Sequence, residues 1–148
     1  MSDPNRRLAG LLLVLVPTVV AGGASLLALI DDPAYRNNEL RQDLWRAGHA
    51  HAGVLLILAL VALRYLDDAL LGSRAAWVAR HSIPAAAVLV PLAFFTAVTD
   101  ADATEPNAMI LLAPAGGALL AAGTLILGIG LLRRGGPGSL SKSTASQP

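Results

Sequence analysis

Residues 8–30 of this chain, LAGLLLVLVPTVVAGGASLLALI, contain no charged side chain. At a rise of about 1.5 Å per residue, a helix of this length crosses the roughly 30 Å hydrocarbon core of a bilayer. Backbone polar groups find no water inside that core, and an α-helix satisfies them within the segment itself. The stretch therefore predicts a membrane-spanning helix near the start of the chain.

Three further apolar stretches of spanning length follow, at residues 49–66, 83–99 and 108–132. Each fits the roughly 17 to 25 residues that a spanning helix requires. The chain is 55% hydrophobic and only 14% charged, whereas a soluble domain has about 45 to 50% apolar and about 25% charged residues. We therefore predict an all-α, polytopic membrane protein built as a bundle of four transmembrane helices.

The predicted spans divide the chain into three parts. Residues 1–7 form a short N-terminus and residues 8–134 form the membrane domain. Residues 135–148 are rich in Gly, Ser and Pro, a composition with little to bury, so this tail is predicted to be disordered. The basic start followed by an apolar run resembles a secretory signal peptide. Signal peptides have apolar regions of about 7 to 15 residues, shorter than this run, so we expect the helix to be retained.

Basic residues are distributed unequally between the connections. The N-terminus, the second connection with the adjacent Arg64, and the C-terminal segment carry eight of the eleven Lys and Arg residues. The first connection carries three and the third none. Because basic residues near spans resist translocation, both termini are predicted to be cytoplasmic. Ten of the eleven are Arg, a bias that suits a GC-rich bacterial genome, so the expected location is the bacterial plasma membrane.

Several kinds of chemistry are excluded or disfavoured by composition and motifs. The sequence has no Cys, which excludes disulfides and thiolate metal sites. A net charge of +1 offers no basic footprint for nucleic acid. We find no Gly-rich phosphate loop, no zinc helix of the His-Glu-x-x-His type and no paired carboxylates inside a span. No catalytic residues are predicted, and a non-enzymatic role is favoured.

The most distinctive motif is GHAHAG at residues 48–53, where the second predicted span leaves the outer interface. Ionisable residues at a membrane are costly to bury and so indicate function, and imidazole is the commonest metal ligand. Residues two apart on a helix point about 200° from each other, so His49 and His51 cannot both face one interior. Asp100 and Asp102 are expected at the same depth. The four residues form a candidate site for zinc, copper or haem, and interfacial hydrogen bonding of the two imidazoles is the alternative.

The run Gly48-His49-Ala50-His51, which opens an apolar helix, resembles the histidine-bearing helix starts of haem-copper oxidase subunit I relatives and of nitric-oxide-response membrane proteins. In those families, histidines near helix ends bind haem or copper. The resemblance covers about six of the 148 residues. It implies that His49 or His51 binds a metal or haem.

Small residues predict where the helices touch, because they allow close approach of two backbones in lipid. Gly116, Gly123 and Gly130 are spaced seven apart and share nearly one face of the fourth span. Gly10 and Ala24 form a similar row on the first span. These two faces are predicted to make tight contacts, either within one chain or between copies.

Three aromatic residues are predicted to act as interfacial anchors, since amphipathic rings are favoured at headgroup depth. Tyr35 and Trp45 lie in the first outer connection, and Trp77 lies in the inner connection between the second and third spans. Residues 39–46 are expected to form a short helix lying at the outer interface.

Three functions are compatible with these features. The first is an accessory or structural component that binds a larger membrane complex or its own copies through helix contacts within the lipid bilayer. The second is a metal- or haem-binding redox or sensor protein that uses His49 and His51. The third is a small transporter or channel subunit, against which stands the lack of ionisable residues near the middle of a span.

Overall fold

The computed structural model describes residues 1–134, which are helical and contain no strand. Four of its helices are long and apolar enough to cross a membrane, which confirms the predicted all-α architecture with four long apolar helices. The predicted tail at residues 135–148 lies outside the described residues. The α-helices are α1 (Asp3–Ala28), α2 (Pro33–Arg36), α3 (Glu39–Tyr65), α4 (Ser73–Thr96) and α5 (Leu112–Arg134), with short 3-10 helices at Leu66–Asp68 and Ala108–Leu111.

Helix α3 begins ten residues before the predicted second span. The side chain of Asn38 caps it, with Oδ1 accepting a hydrogen bond from the backbone N–H of Arg41 at 3.0 Å. The separate interfacial helix expected at residues 39–46 is instead the first part of α3. No residue between Glu39 and Gly48 interrupts the helix, because a glycine such as Gly48 lowers helix stability by only about 1 kcal/mol relative to alanine. The apolar run from residue 49 shows which part of α3 is hydrophobic, but it does not mark the start of the helix.

Helix α4 also starts earlier than predicted, at Ser73 rather than residue 83. Pro84 therefore lies inside the helix, as Pro91 does. Helix α5 follows the 3-10 turn whose first residues are capped by Asn107, with Oδ1 accepting from the N–H of Met109 at 2.9 Å. Pro114 stands in the first turn of α5, where proline is tolerated because its missing N–H would have no helical partner.

The four long helices pack in the order α1, α3, α4, α5, so that α3 and α4 are central and α1 and α5 are peripheral. Leu63 of α3 and Ile83 of α4 are each only 1% exposed and lie in the core between these helices. The N–H of Leu70 donates to the carbonyl of Gly130 at 3.0 Å, so α5 ends beside the connection between α3 and α4. We call this end of the bundle the terminal end, and the end that carries residues 29–38 and 97–107 the loop end.

The glycines of α5 lie against α4 and the connection before it. A Cβ atom placed on Gly116 would be 2.6 Å from Cγ2 of Val90, and one on Gly123 would be 2.6 Å from Cγ1 of Ile83. At Gly130 the corresponding distance to Cδ2 of Leu71 is also 2.6 Å. At all three positions a Cβ atom would force a neighbouring side chain to shift.

The small-residue row of α1 is placed differently. No heavy atom lies within 4 Å of a Cβ placed on Gly10, and Ala24 is exposed. Within residues 1–134 the glycine row of α5 is thus covered by α4 and the connection before it, and the row of α1 remains on the outside of the bundle.

Candidate functional site

A cavity of about 280 Å³ lies between α1, α3 and α4. Its walls are almost wholly apolar, and its polar side chains are His49 and Thr18. Val88 and Leu92 line it and are 49% and 42% exposed, so the cavity opens at the outer surface of the bundle. Its lining residues are Leu15, Thr18, Val19, Gly22, His49, Ala52, Leu56, Ala87, Val88, Pro91, Leu92 and Phe95.

His49 enters this site from α3 because α1 offers two glycines opposite it. A Cβ atom on Gly23 would lie 3.0 Å from both Cε1 and Nε2 of the imidazole, and one on Gly22 would lie 3.8 Å from Nδ1. The ring is half-buried, and within residues 1–134 neither of its nitrogens has a hydrogen-bond partner. The imidazole is thus held in a mainly apolar setting with its hydrogen-bonding capacity unused.

His51 points to a different side of α3. Its Nδ1 lies 2.7 Å from the carbonyl oxygen of Ala47, and its ring contacts that of Phe94 of α4 in a tilted arrangement, with 5.1 Å between the ring centroids. The residue is exposed. The divergence of the two imidazoles follows from the helical rotation of about 100° per residue.

The two predicted carboxylate ligands belong to the loop end. The N–H of Asp102 donates to Oδ1 of Asp100 at 3.1 Å. Asp102 lines a polar cavity of about 760 Å³ together with Asn38 and Glu39, which is not the cavity that His49 lines.

The zinc or copper site predicted from His49, His51, Asp100 and Asp102 is not assembled. Residues 1–134 contain no group of three or more His, Cys, Asp or Glu side chains that could hold a metal ion. The reason is that the two imidazoles diverge around α3. Binding by a single histidine stays a prediction.

Haem fits the His49 cavity poorly. Its volume of about 280 Å³ is at the lower end of the roughly 300 to 1,000 Å³ typical of small-molecule sites. A slender apolar group fits the space as it stands.

The three predicted anchors have different surroundings. Tyr35 is only 3% exposed and packs against Trp45 of α3 with tilted rings whose centroids are 5.8 Å apart, so it is covered by protein. Trp77 is 60% exposed and stacks at 4.7 Å on His81. Of the three, Trp77 is the one that presents its ring to the surroundings.

Two polar clusters were not anticipated from the sequence. Arg41 is 8% exposed, donates from Nη2 to the carbonyl of Thr99 at 2.7 Å and from Nη1 to that of Ala34 at 3.3 Å, and stacks at 5.0 Å on Trp45. It joins α3 to both connections at the loop end. A buried arginine and a solvated one look alike in a sequence when their partners are backbone carbonyls.

The second cluster joins α1, the 3-10 helix Leu66–Asp68 that follows α3, and α4 at the terminal end. Asn5 is fully buried, its Nδ2 donates to Oδ1 of Asp67 at 2.9 Å, and its Oδ1 accepts from Nε of Arg80 at 2.6 Å. Both the donor and the acceptor of the Asn5 side-chain amide are therefore hydrogen-bonded. The sequence places Asn5 only in the short N-terminus before the first span.

Residues 1–134 thus define a helical bundle of membrane-spanning dimensions with a lateral apolar cavity that contains an imidazole. Comparison with protein-family models, curated proteins and solved structures finds no match to this chain. A function for the chain rests on its own residues.

Proposed function

We propose that this chain is a four-pass integral protein of the bacterial plasma membrane, with both termini in the cytoplasm, and that it binds a membrane lipid in the His49 cavity. The four long helices support the first part, since each has the length and hydropathy of a span. The excess of Lys and Arg at the terminal end supports the orientation.

The orientation is tested by single-cysteine labelling, for which the absence of native cysteine gives a clean background. Thr104 and Ser73 are exposed residues at the loop end and the terminal end. We expect Thr104→Cys to react with a membrane-impermeant maleimide in intact cells, and Ser73→Cys to react only after permeabilisation. The reverse pattern would contradict the proposed orientation, and labelling of both in intact cells would contradict membrane spanning.

The observation that carries the lipid-binding part is the unpartnered imidazole of His49. The Nδ1 atoms of His51 and His81 lie 2.7 and 2.8 Å from the carbonyl oxygen four residues earlier, whereas His49 has no such partner within residues 1–134. The imidazole therefore offers a free donor and a free acceptor to a group that enters the mainly apolar cavity, where a hydrogen bond to it is stronger than in water. A lipid whose ester oxygen reaches His49 would accept that hydrogen bond while its acyl chain fills the apolar walls.

The shape of the cavity also favours an acyl chain. The opening at Val88 and Leu92 lies on the surface that faces lipid if the bundle spans a membrane. A lipid can then enter sideways without crossing water.

A cavity-filling variant tests lipid binding, with a matched control on the same helix. Ala52 lines the cavity, and Ala50 is exposed and does not line it. In native mass spectrometry of the detergent-solubilised protein titrated with phosphatidylcholine, we expect one retained lipid per chain. Ala52→Leu should weaken retention about tenfold, equivalent to roughly 1.4 kcal/mol. Ala50→Leu should not weaken it. Equal retention by all three proteins would overturn the proposal.

A second candidate function, an accessory role through self-association, is favoured by the exposure of α1. Within this helix only Asn5, Ala9 and Leu12 are buried, and the space over Gly10 is open. A second copy could pack here as small-residue faces do in lipid. Gly10→Ile and Ala24→Ile should then convert a dimer to a monomer in native mass spectrometry, and a wild-type protein that is already monomeric would exclude this role.

A further inference from the structure

A second cavity lies on the other side of His49, toward the loop end. It has a volume of about 370 Å³, and His49 lines both cavities. This second cavity differs from the first in containing a positively charged side chain, that of Arg46. Its lining residues are Gly23, Leu26, Leu27, Ile30, Tyr35, Arg46 and His49.

The charge of Arg46 is not neutralised by the protein. Its Nη2 donates to the side-chain oxygen of Gln42 at 3.1 Å, and within residues 1–134 no carboxylate oxygen lies within 4.0 Å of its nitrogens. The guanidinium therefore keeps donors available for an anion. Guanidinium groups bind phosphate through paired N–H donors, which makes phosphate a suitable partner.

The two cavities together have the layout of an amphiphile. The cavity between α1, α3 and α4 is apolar, His49 stands at the junction, and Arg46 stands in the cavity nearer the loop end. Both histidine and arginine lie on α3, three residues apart, and so on one side of the helix. The ligand that matches this order has an apolar chain, a hydrogen-bond acceptor and then an anionic phosphate.

We propose that the lipid bound by this chain is an anionic phospholipid, whose phosphate lies beside Arg46 and whose acyl chain fills the cavity beyond His49. This inference rests on the proposed lipid-binding function and adds the class of head group. Tyr35, which is buried against Trp45 and lines the same cavity, forms a wall of the head-group site.

The test compares two head groups on the same acyl chains in native mass spectrometry. We expect phosphatidylglycerol to be retained about tenfold more strongly than phosphatidylcholine. Both lipids carry the phosphate, but phosphatidylcholine adds a quaternary ammonium cation, whose charge opposes that of Arg46 and leaves the lipid without net charge. Arg46→Gln should reduce that preference to about twofold or less. Arg36→Gln is the matched control, because Arg36 is also an exposed arginine of the loop end but does not line the cavity. It should leave the preference unchanged.

The outcomes separate this inference from the lipid-binding function. If Ala52→Leu weakens both lipids while Arg46→Gln leaves the preference intact, lipid binding holds and the head-group inference is wrong. If Ala52→Leu changes neither lipid, the lipid-binding function is wrong. The remaining experiment uses glycerol 3-phosphate, which has the phosphate but no acyl chains. If it is retained as strongly as phosphatidylglycerol, and Arg46→Gln weakens its retention in the same way, the site binds a soluble phosphate and the inference is wrong.

Discussion

The imidazole of His49 lies directly against Gly23 of α1, so that a Cβ atom on this glycine would be 3.0 Å from both Cε1 and Nε2. Real Cβ contacts are rarely this short, and at Gly22 the corresponding distance of 3.8 Å to Nδ1 is ordinary van der Waals contact. Two adjacent glycines on α1 therefore have different tolerance for a methyl group. The position of the imidazole between the two cavities depends on Gly23.

We predict that Gly23→Ala displaces the imidazole of His49 by a few tenths of an ångström and weakens lipid retention several-fold, because the methyl group competes for the position of the ring. Gly22→Ala should leave both unchanged. The ring resonances of His49 in NMR spectra, assigned with His49→Gln, report the displacement, and native mass spectrometry reports retention. If the two alanine variants behave alike, the contact at Gly23 does not position the ring.

The helices could be predicted from the sequence because apolar runs of spanning length admit few other structures. The residues at which these helices begin could not be predicted in the same way. The first ten residues of α3 contain charges that a hydropathy pattern assigns to a loop, yet capping by Asn38 starts the helix there. Likewise, the divergence of His49 and His51 followed from helical geometry, but the neighbours of each ring depend on which helices pack together.

Helix neighbours also decide the role of the α5 glycines, and we predict that Gly123→Ala destabilises the bundle by about 1 to 3 kcal/mol through overpacking. Its Cβ would collide with Oγ of Ser82 and lie 2.6 Å from Cγ1 of Ile83, both in α4. Gly117→Ala is the control on the same helix, because no heavy atom lies within 4 Å of its Cβ. Thermal unfolding in detergent should show a lower midpoint for the first variant only. A loss of similar size at Gly117 would indicate a general helix effect.

A third prediction concerns the amide that joins three helices at the terminal end. Asn5→Ala removes the hydrogen bonds to Asp67 and from Arg80, and a buried polar group left without a partner costs about 1 to 3 kcal/mol. The free energy of unfolding in detergent should fall by that amount. Arg7→Ala, at an exposed position of the same helix, should change it by less than about 0.5 kcal/mol. An equal loss of unfolding free energy in both variants would show that the effect comes from the first turn of α1 and not from the hydrogen bonds of Asn5.

The hydrogen bonds of Asn5 show why part of the structure could not be predicted from the sequence. Asn5 is separated from Asp67 by 62 residues and from Arg80 by 75. Nothing local distinguishes it from a solvated asparagine. The same applies to the unpartnered imidazole of His49, since an absent hydrogen bond has no sequence signal.

The last prediction concerns Arg41, whose guanidinium holds the loop end together by donating to the carbonyls of Ala34 and Thr99. A lysine keeps the charge but cannot reproduce the planar fork. We therefore expect Arg41→Lys to lower the free energy of unfolding by about 1.5 to 3 kcal/mol, the usual contribution of a charged hydrogen bond. Amide hydrogen exchange should become faster in residues 33–37 and 97–100. Arg36→Lys, at an exposed position, should change neither quantity.

Because Arg41 stacks on Trp45, and Trp45 packs against Tyr35, the loss of the fork should also loosen the wall of the cavity that contains Arg46. The preference for phosphatidylglycerol should then fall in Arg41→Lys even though the net charge is the same. A preference that is unchanged despite faster exchange would mean that Arg46 recognises the phosphate without help from Tyr35. The head-group site would then depend on charge alone.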